Sequence, residues 1–309
     1  MIPTIAVSVA VTDALLAFGW CVVAGFLMSM GGGGGGILVG VGHISILGVT
    51  DANMIKVVNQ ILELSSRLVS VPVYYRQRRI AWSVALAYGI GAPIGAICGS
   101  WLSKSYLANM AAYRPAFGVL VALVAARVLY EGWAKALLQH ADHRRARRAS
   151  ERVGNRVRAG GFASLGTDDA PHVVRWNWTR IGVRFGGETF EFNPWMAAAG
   201  GFCISLIGSL FGVAGGFLAT PFFATVLLLP MYIVVGTSIA AMMVPLAISV
   251  TTYLALGVHL DWGLVAAEIP GVLIGSLIGP AVNQYFNEKV LKTFVAVILF
   301  ATGLYYIYT

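Results

Sequence analysis

Residues 29–42 read SMGGGGGGILVGVG, six consecutive glycines inside an otherwise apolar stretch. Glycine loses more conformational freedom on ordering than any other residue, and it breaks helices. The run lies in an apolar segment reaching from about 14 to 49. As one helix, that segment would extend ~54 Å, against a hydrocarbon core of ~30 Å. A straight span does not fit. The glycines predict a half-helix in, a turn near the membrane middle and a half-helix back out.

The rest of the chain places this hairpin in a membrane. Of 309 residues, 58% are hydrophobic and only 11% charged, which excludes an ordinary soluble domain. No lysine or arginine precedes Lys56, so the first apolar segment lacks the basic start of a cleavable signal and is expected to be retained. Cys21, Cys98 and Cys203 sit in apolar segments without metal-ligand spacing and predict neither a metal site nor disulfides. The six glycines satisfy G-x-G-x-x-G, with Asp51 downstream. However, no βαβ unit surrounds them and no Gly-Lys-Ser/Thr follows, so no nucleotide cofactor is expected.

Sliding the chain by 180 residues reveals a duplication. Ser29, Gly32, Gly35, Gly36 and Leu38 fall on Ser209, Gly212, Gly215, Gly216 and Leu218. Trp82, Gly91, Ile94, Gly95 and Gly99 fall on Trp262, Gly271, Ile274, Gly275 and Gly279. Each half (1–138 and 194–309) reads as a glycine-broken segment followed by three helices. These are 14–49, 54–75, 81–102 and 110–138, then 195–230, 232–257, 262–284 and 289–308. Pro245 is expected to kink its helix, and Trp82 and Trp262 to anchor theirs at the membrane interface.

Because each re-entrant half crosses three times, the halves should be inverted. That puts 16 basic residues on the presumed cytoplasmic side and three (Lys56, Lys104, Arg114) opposite, following the positive-inside rule. Ten of the 21 basic residues lie between Gln139 and Asn193. A cluster of this kind orients a polytopic protein, and nucleic acid is not expected as a partner. Within this linker, RRARRASERVGNRVRAGG (144–161) reads as a solvated basic stretch near lipid headgroups. VVRWNWTRIGVRFGGETFEFN (173–193), with Gly186-Gly187 between two strand-like runs, reads as a β-hairpin. The expected fold class is thus all-α and membrane-integral: two inverted repeats, each a re-entrant hairpin plus three helices, with a small cytoplasmic β-hairpin inserted.

Broken helices in inverted repeats mark midplane transport sites. Half-helices beginning near Gly34, Gly35 and Gly36, and near Gly215 and Gly216, direct free N–H groups and positive dipole ends inward, toward an anion. Small-residue helix packing would account for Gly91, Gly95 and Gly99, but not for six glycines in a row. The segment VVNQILELSSRLVS (57–70) is too polar to face lipid, and Asn59, Gln60, Glu63 and Arg67 lie on or beside one helical face. An intramembrane arginine marks function by default, although Glu63 and Arg67, four apart, also suit a structural pair. Arg127 is a second candidate cation, Thr237 and Ser238 offer hydroxyls, and His43, Glu63 and Glu268 are candidate proton carriers.

The phrase GSLFGVAGGFLATPFFATVLLLPMYIVVGTS (208–238) resembles the signature of the TauE/SafE membrane permeases, also called the toluene sulfonate uptake permease group. Gly212, Gly215, Gly216, Pro221, Gly236, Thr237 and Ser238 carry the match. Ala214 stands where a glycine is usual. In the first half Gly34, Gly35 and Gly36 match, while Val41 replaces the proline and Lys56-Val57-Val58 replaces Gly-Thr-Ser. The resemblance implies a bacterial inner-membrane carrier for sulfite, sulfoacetate or other organosulfonates, often an exporter. The expected partners are a small anion and the bilayer, and a homodimer is compatible with the reading. With no ATP-binding motif, an ion gradient is the expected energy source. Two other classes compete with this reading: an intramembrane enzyme using His43, Asp51 and Glu63, for which no catalytic motif is visible, and a scaffold that recruits a partner through the linker.

Overall fold

The computed structural model describes residues 11–30, 34–134, 141–166, 169–213, 215–282 and 288–308. Its first part contains α1 (Val11–Ser29), α2 (Gly34–Ser45), α3 (Ala52–Arg76), α4 (Trp82–Tyr106) and α5 (Met110–Ala134). A connecting body follows, with α6 (Ala141–Gly160), β1 (His172–Trp176), β2 (Ile181–Phe185) and β3 (Glu188–Phe192). The remainder is α7 (Pro194–Phe211), α8 (Gly216–Thr225), α9 (Met231–Ala241), α10 (Met243–Ala255), α11 (Trp262–Val282) and α12 (Glu288–Tyr308). Among the described residues, α4, α5, α7, the α9–α10 pair and α11 are long and apolar enough to cross a membrane.

Each glycine-broken segment doubles back as an antiparallel pair, but only its second arm is the expected half-helix: α1 and α7, at 19 and 18 residues, are nearly full-length spans. A Cβ on Gly35 would strike Met28 and the Ala24 carbonyl, and one on Gly42 would strike the Trp20 indole. As numbers rise along α2 they fall along α1, so the two helices run antiparallel. The second pair repeats this, Gly215 abutting Ile204 and Gly200 the Phe222 ring. Gly212 (φ 69°) ends α7 and Gly215 (φ 62°) precedes α8, both left-handed, which residues with a Cβ adopt only at a cost. At ten residues, α8 extends only ~15 Å, half a hydrocarbon core.

The 180-residue register recurs in three-dimensional contacts. Gly91, Gly95 and Gly99 of α4 press on the carbonyls of Ala198, Phe202 and Leu206 in α7. Gly271, Gly275 and Gly279 of α11 press on those of Phe18, Val22 and Phe26 in α1. Each contact maps onto its counterpart at an offset of 180. Each hairpin therefore packs against a helix of the other half, and glycine permits the backbone approach. Size is exchanged too: Trp20 meets Gly42, whereas at the equivalent positions Gly200 meets Phe222. The two broken ends are held alike, by hydrogen bonds from Tyr74 OH to the Ser29 carbonyl and from Tyr253 OH to the Ser209 carbonyl, both 2.7 Å.

Pro245 interrupts its helix as expected, with the break one turn earlier, at Met242 between α9 and α10. Proline denies a hydrogen bond to the carbonyl of Ala241 and crowds it. Trp82 and Trp262 begin their helices exposed.

The connecting body is richer than a hairpin on a solvated stretch. β2 and β3 form the expected hairpin through Gly186 (φ 58°) and Gly187 (φ 82°), and β1 adds a third antiparallel strand. The basic stretch is the helix α6. Ala146, Ala149 and Val153, three to four residues apart, form a buried stripe against Ile181, Val183 and Phe185, while the arginines stay on the outer face. The body touches two membrane-helix turns: Arg78 donates to the carbonyls of Leu165 and Gly166, Phe185 stacks on Tyr232 at 5.6 Å, and Tyr232 N donates to Ser150 Oγ.

Candidate functional site at the helix breaks

The polar face of α3 points inward, which explains how a helix with so many polar residues sits among apolar ones. Asn59, Gln60, Glu63, Ser66, Arg67 and Ser70 are all buried. Arg67 Nη1 donates to both the backbone carbonyl and Oε2 of Glu63, each at 3.0 Å. With side chains only 8% and 4% exposed, the pair is shielded from water. Each partner would impose a heavy desolvation cost alone.

This pair touches both helix breaks. A Cβ on Gly36, in the first turn of α2, would overlap Glu63 Oε1. A Cβ on Gly216, the first residue of α8, would stand 3.4 Å from Arg67 Nη2. The two environments differ electrostatically. Glu63 lies by a helix N-terminus, which favours a carboxylate. Arg67 lies by another, where a cation is disfavoured, and Gly215 provides no side chain to cap α8. Negative charge between Arg67 and the start of α8 is therefore stabilised from both sides.

Several buried polar atoms on α3 and α11 have no partner. Asn59 Nδ2, Gln60 Nε2 and Arg67 Nε are buried without a hydrogen-bond partner, as are Gln60 Oε1 and Glu268 Oε2. Buried polar atoms of this kind are rare and need an explanation.

Beside the pair, His43 on α2 lies 2.8 Å from Asn59 Oδ1 through Nδ1 and 2.8 Å from Glu268 Oε1 through Nε2. His43, Asn59 and Glu268 are at most 1% exposed. Sequence reasoning singled out each of the three, but not their union, because Glu268 is 225 residues from His43.

Other expected residues sit elsewhere. Arg127 lies on the exposed face of α5, outside this buried cluster. Its aliphatic stem suits an outward position with the charge near an interface. Thr237 is buried but already engaged: its hydroxyl donates to the Ile233 carbonyl (2.6 Å) and accepts from Ala81 N (2.9 Å), fastening the start of α4. Gly236 lets the Arg79 carbonyl approach the same place. Ser238 bonds the Val235 carbonyl and Thr220 of α8, bracing the broken helix. The Gly-Thr-Ser phrase thus holds helices together. Gly34 opens α2, and Gly35 packs on α1. Asp51 caps the N-terminus of α3 through Asn53 N and Met54 N, twelve residues or ~18 Å along the helix from Glu63, so the two share no site. Among the described residues, no three His, Cys, Asp or Glu side chains gather to hold a metal ion.

The family model "Sulfite exporter TauE/SafE" matches residues 17–306. The chain is also similar to the "Probable membrane transporter protein YunE" of Bacillus subtilis (strain 168), 23% identical over 293 residues, covering 93% of this chain and 94% of that protein. No solved structure matches.

Proposed function

The chain belongs to the sulfite exporter TauE/SafE family of membrane transporters, and on that premise we propose that it exports small sulfur-containing anions, such as sulfite, sulfoacetate or other organosulfonates, in movement coupled to that of an ion. The observation that carries the reading is a single buried ion pair spanning both helix breaks, Glu63 on Gly36 and Arg67 on Gly216. In this proposal the anion enters between Arg67 and the start of α8, where Arg67 Nε and the free N–H groups of the first turn of α8 supply hydrogen bonds. Three sulfonate oxygens accept several donors at once, which suits a site rich in them.

The halves, 1–138 and 194–309, would be inverted in the bilayer and rock about this midplane site. The 139–193 body would face the cytoplasm of an inner membrane, since it holds ten of the 21 basic residues. Its grip on the α3–α4 turn and on Tyr232 would leave the hairpins free to move. Labelled sulfite and sulfoacetate flux in proteoliposomes tests the reading. Arg67→Ala should abolish flux, and unchanged transport would refute Arg67 as the anion contact.

A further inference from the structure

The pseudo-symmetry singles out one place where the halves differ chemically. Shifting by 180 residues carries His43 onto Phe223 and Glu268 onto Tyr88. The contact itself is preserved, because Tyr88 and Phe223 meet edge to face at 5.5 Å. One half therefore closes this seam with two aromatic rings, and the other places an ionisable pair there, 2% and 1% exposed. Packing alone does not call for charge at a position its twin fills with rings.

Hydrogen-bond accounting shows what the pair holds. Asn59 Oδ1 and a carboxylate oxygen are both acceptors, yet both lie 2.8 Å from the His43 ring nitrogens. A neutral imidazole has one N–H. With the Asn59 amide in this orientation, both contacts are hydrogen bonds only if the unit carries one proton more than neutral histidine with ionised glutamate, either on the ring or on Glu268. Losing that proton is compensated if the Asn59 amide turns over and Nδ2 donates to Nδ1 instead. Nδ2 is otherwise unpartnered.

We infer that His43 and Glu268 form a one-proton site, and that this proton is the ion coupled to anion movement. The inference rests on the anion-transport reading for its coupling, though not for the existence of the proton site. From each neighbouring element, the groups facing the pair are few. On α1 the neighbouring titratable group is the buried Cys21. On α3 the groups are Asn59 and, one and two turns on, the mutually paired Glu63 and Arg67. Tyr306 of α12, with Arg114 of α5 over its ring, bonds Ser45, two residues beyond His43 in the last turn of α2. Among these described residues, no Lys or Arg ion pair neutralises Glu268.

Charge then links the two sites. With Glu63 and Arg67 cancelling, and buried Lys56, one turn before Asn59, engaged by the Leu107 carbonyl and the Tyr113 ring, the His43–Glu268 unit itself carries one negative charge without the proton and none with it. Asn59 and Arg67 are eight residues apart on α3, or ~12 Å. At an effective dielectric constant near 20, one charge at that distance changes anion affinity roughly tenfold. Protonation strengthens anion binding, so affinity rises as pH falls. By reciprocity, the anion favours the proton.

The test transplants the aromatic pair: His43→Phe with Glu268→Tyr, in the full chain. Two readouts are used. Infrared difference spectra of the purified protein between low and high pH should show protonation of a buried carboxyl or imidazole that the double variant lacks. This requires no transport. In proteoliposomes with an internal pH dye, sulfoacetate, fully ionised near neutrality, should move with one proton in the native protein. In the variant it should exchange without protons, and the roughly tenfold pH dependence of its affinity should flatten. The proposal fails if the infrared signal persists in the double variant, if the variant keeps the native proton-to-anion ratio, or if a sodium gradient drives native uptake where a pH gradient does not. Should native protein move no sulfonate at all, the anion reading falls, and the infrared result alone decides the proton site.

Discussion

Arg67 and Glu63 show how burial turns an ordinary i,i+4 pair into a structural constraint. On a surface such a pair contributes a few tenths of a kcal/mol, but here removing one partner strands the other. Arg67→Ala should destabilise the detergent-solubilised protein by about 3–5 kcal/mol, read as a lower melting temperature. Arg67→Lys restores the charge without the planar fork. It should fold and still raise the KM for sulfite about tenfold, measured by initial-rate flux. Thr237 predicts the opposite pattern. Thr237→Val leaves the buried Ala81 N–H unpaired, and should cost about 1–3 kcal/mol in unfolding while leaving KM unchanged. Arg67 and Glu63 were legible in the sequence, since an arginine in an apolar chain needs a partner. The outward direction of Arg127 was not legible, because helix α5 is apolar nearly all round and has little pattern to show which face packs inward. Nor could the sequence reveal that Thr237 spends its hydroxyl on α4, a contact 156 residues away.

At the scale of helices and hairpins, the glycines divide into those that break and those that pack. Gly95→Leu would force α4 away from the Phe202 backbone and should cost about 1–3 kcal/mol or more. Gly89, with nothing within 4 Å, offers the control: Gly89→Ala should be neutral or stabilising by up to ~1 kcal/mol. Thermal denaturation of the two variants compares them directly. The exchanged sizes at Trp20–Gly42 and Gly200–Phe222 make a sharper case. Trp20→Gly should cost about 3–5 kcal/mol, and adding Gly42→Phe, which mimics the other hairpin, should recover more than 1 kcal/mol in a double-mutant cycle. The hairpins were legible because segment length and glycine position both demanded a break. The character of α6 was missed because its arginines mask a stripe of two alanines and a valine, and the stripe has meaning only once the sheet it covers exists.

For the whole molecule, duplication makes the rest intelligible. Each broken hairpin is clasped by a helix of the other half, so neither half completes its core alone. The linker body, leading straight into α7 at Asn193, also touches Tyr232 just beyond α8. The re-entrant reading requires the hairpin to enter and leave beside this one body, whereas a full crossing would separate the two points by the bilayer. Single cysteines at exposed Asn177, Met231 and Asn109, with Cys21, Cys98 and Cys203 replaced by serine, put this to the test in intact cells and inverted vesicles. Positions 177 and 231 should react with an impermeant thiol reagent from the same face, and 109 from the other. If 177 and 231 react from opposite faces, the hairpins cross the bilayer and the two helix breaks do not meet as described.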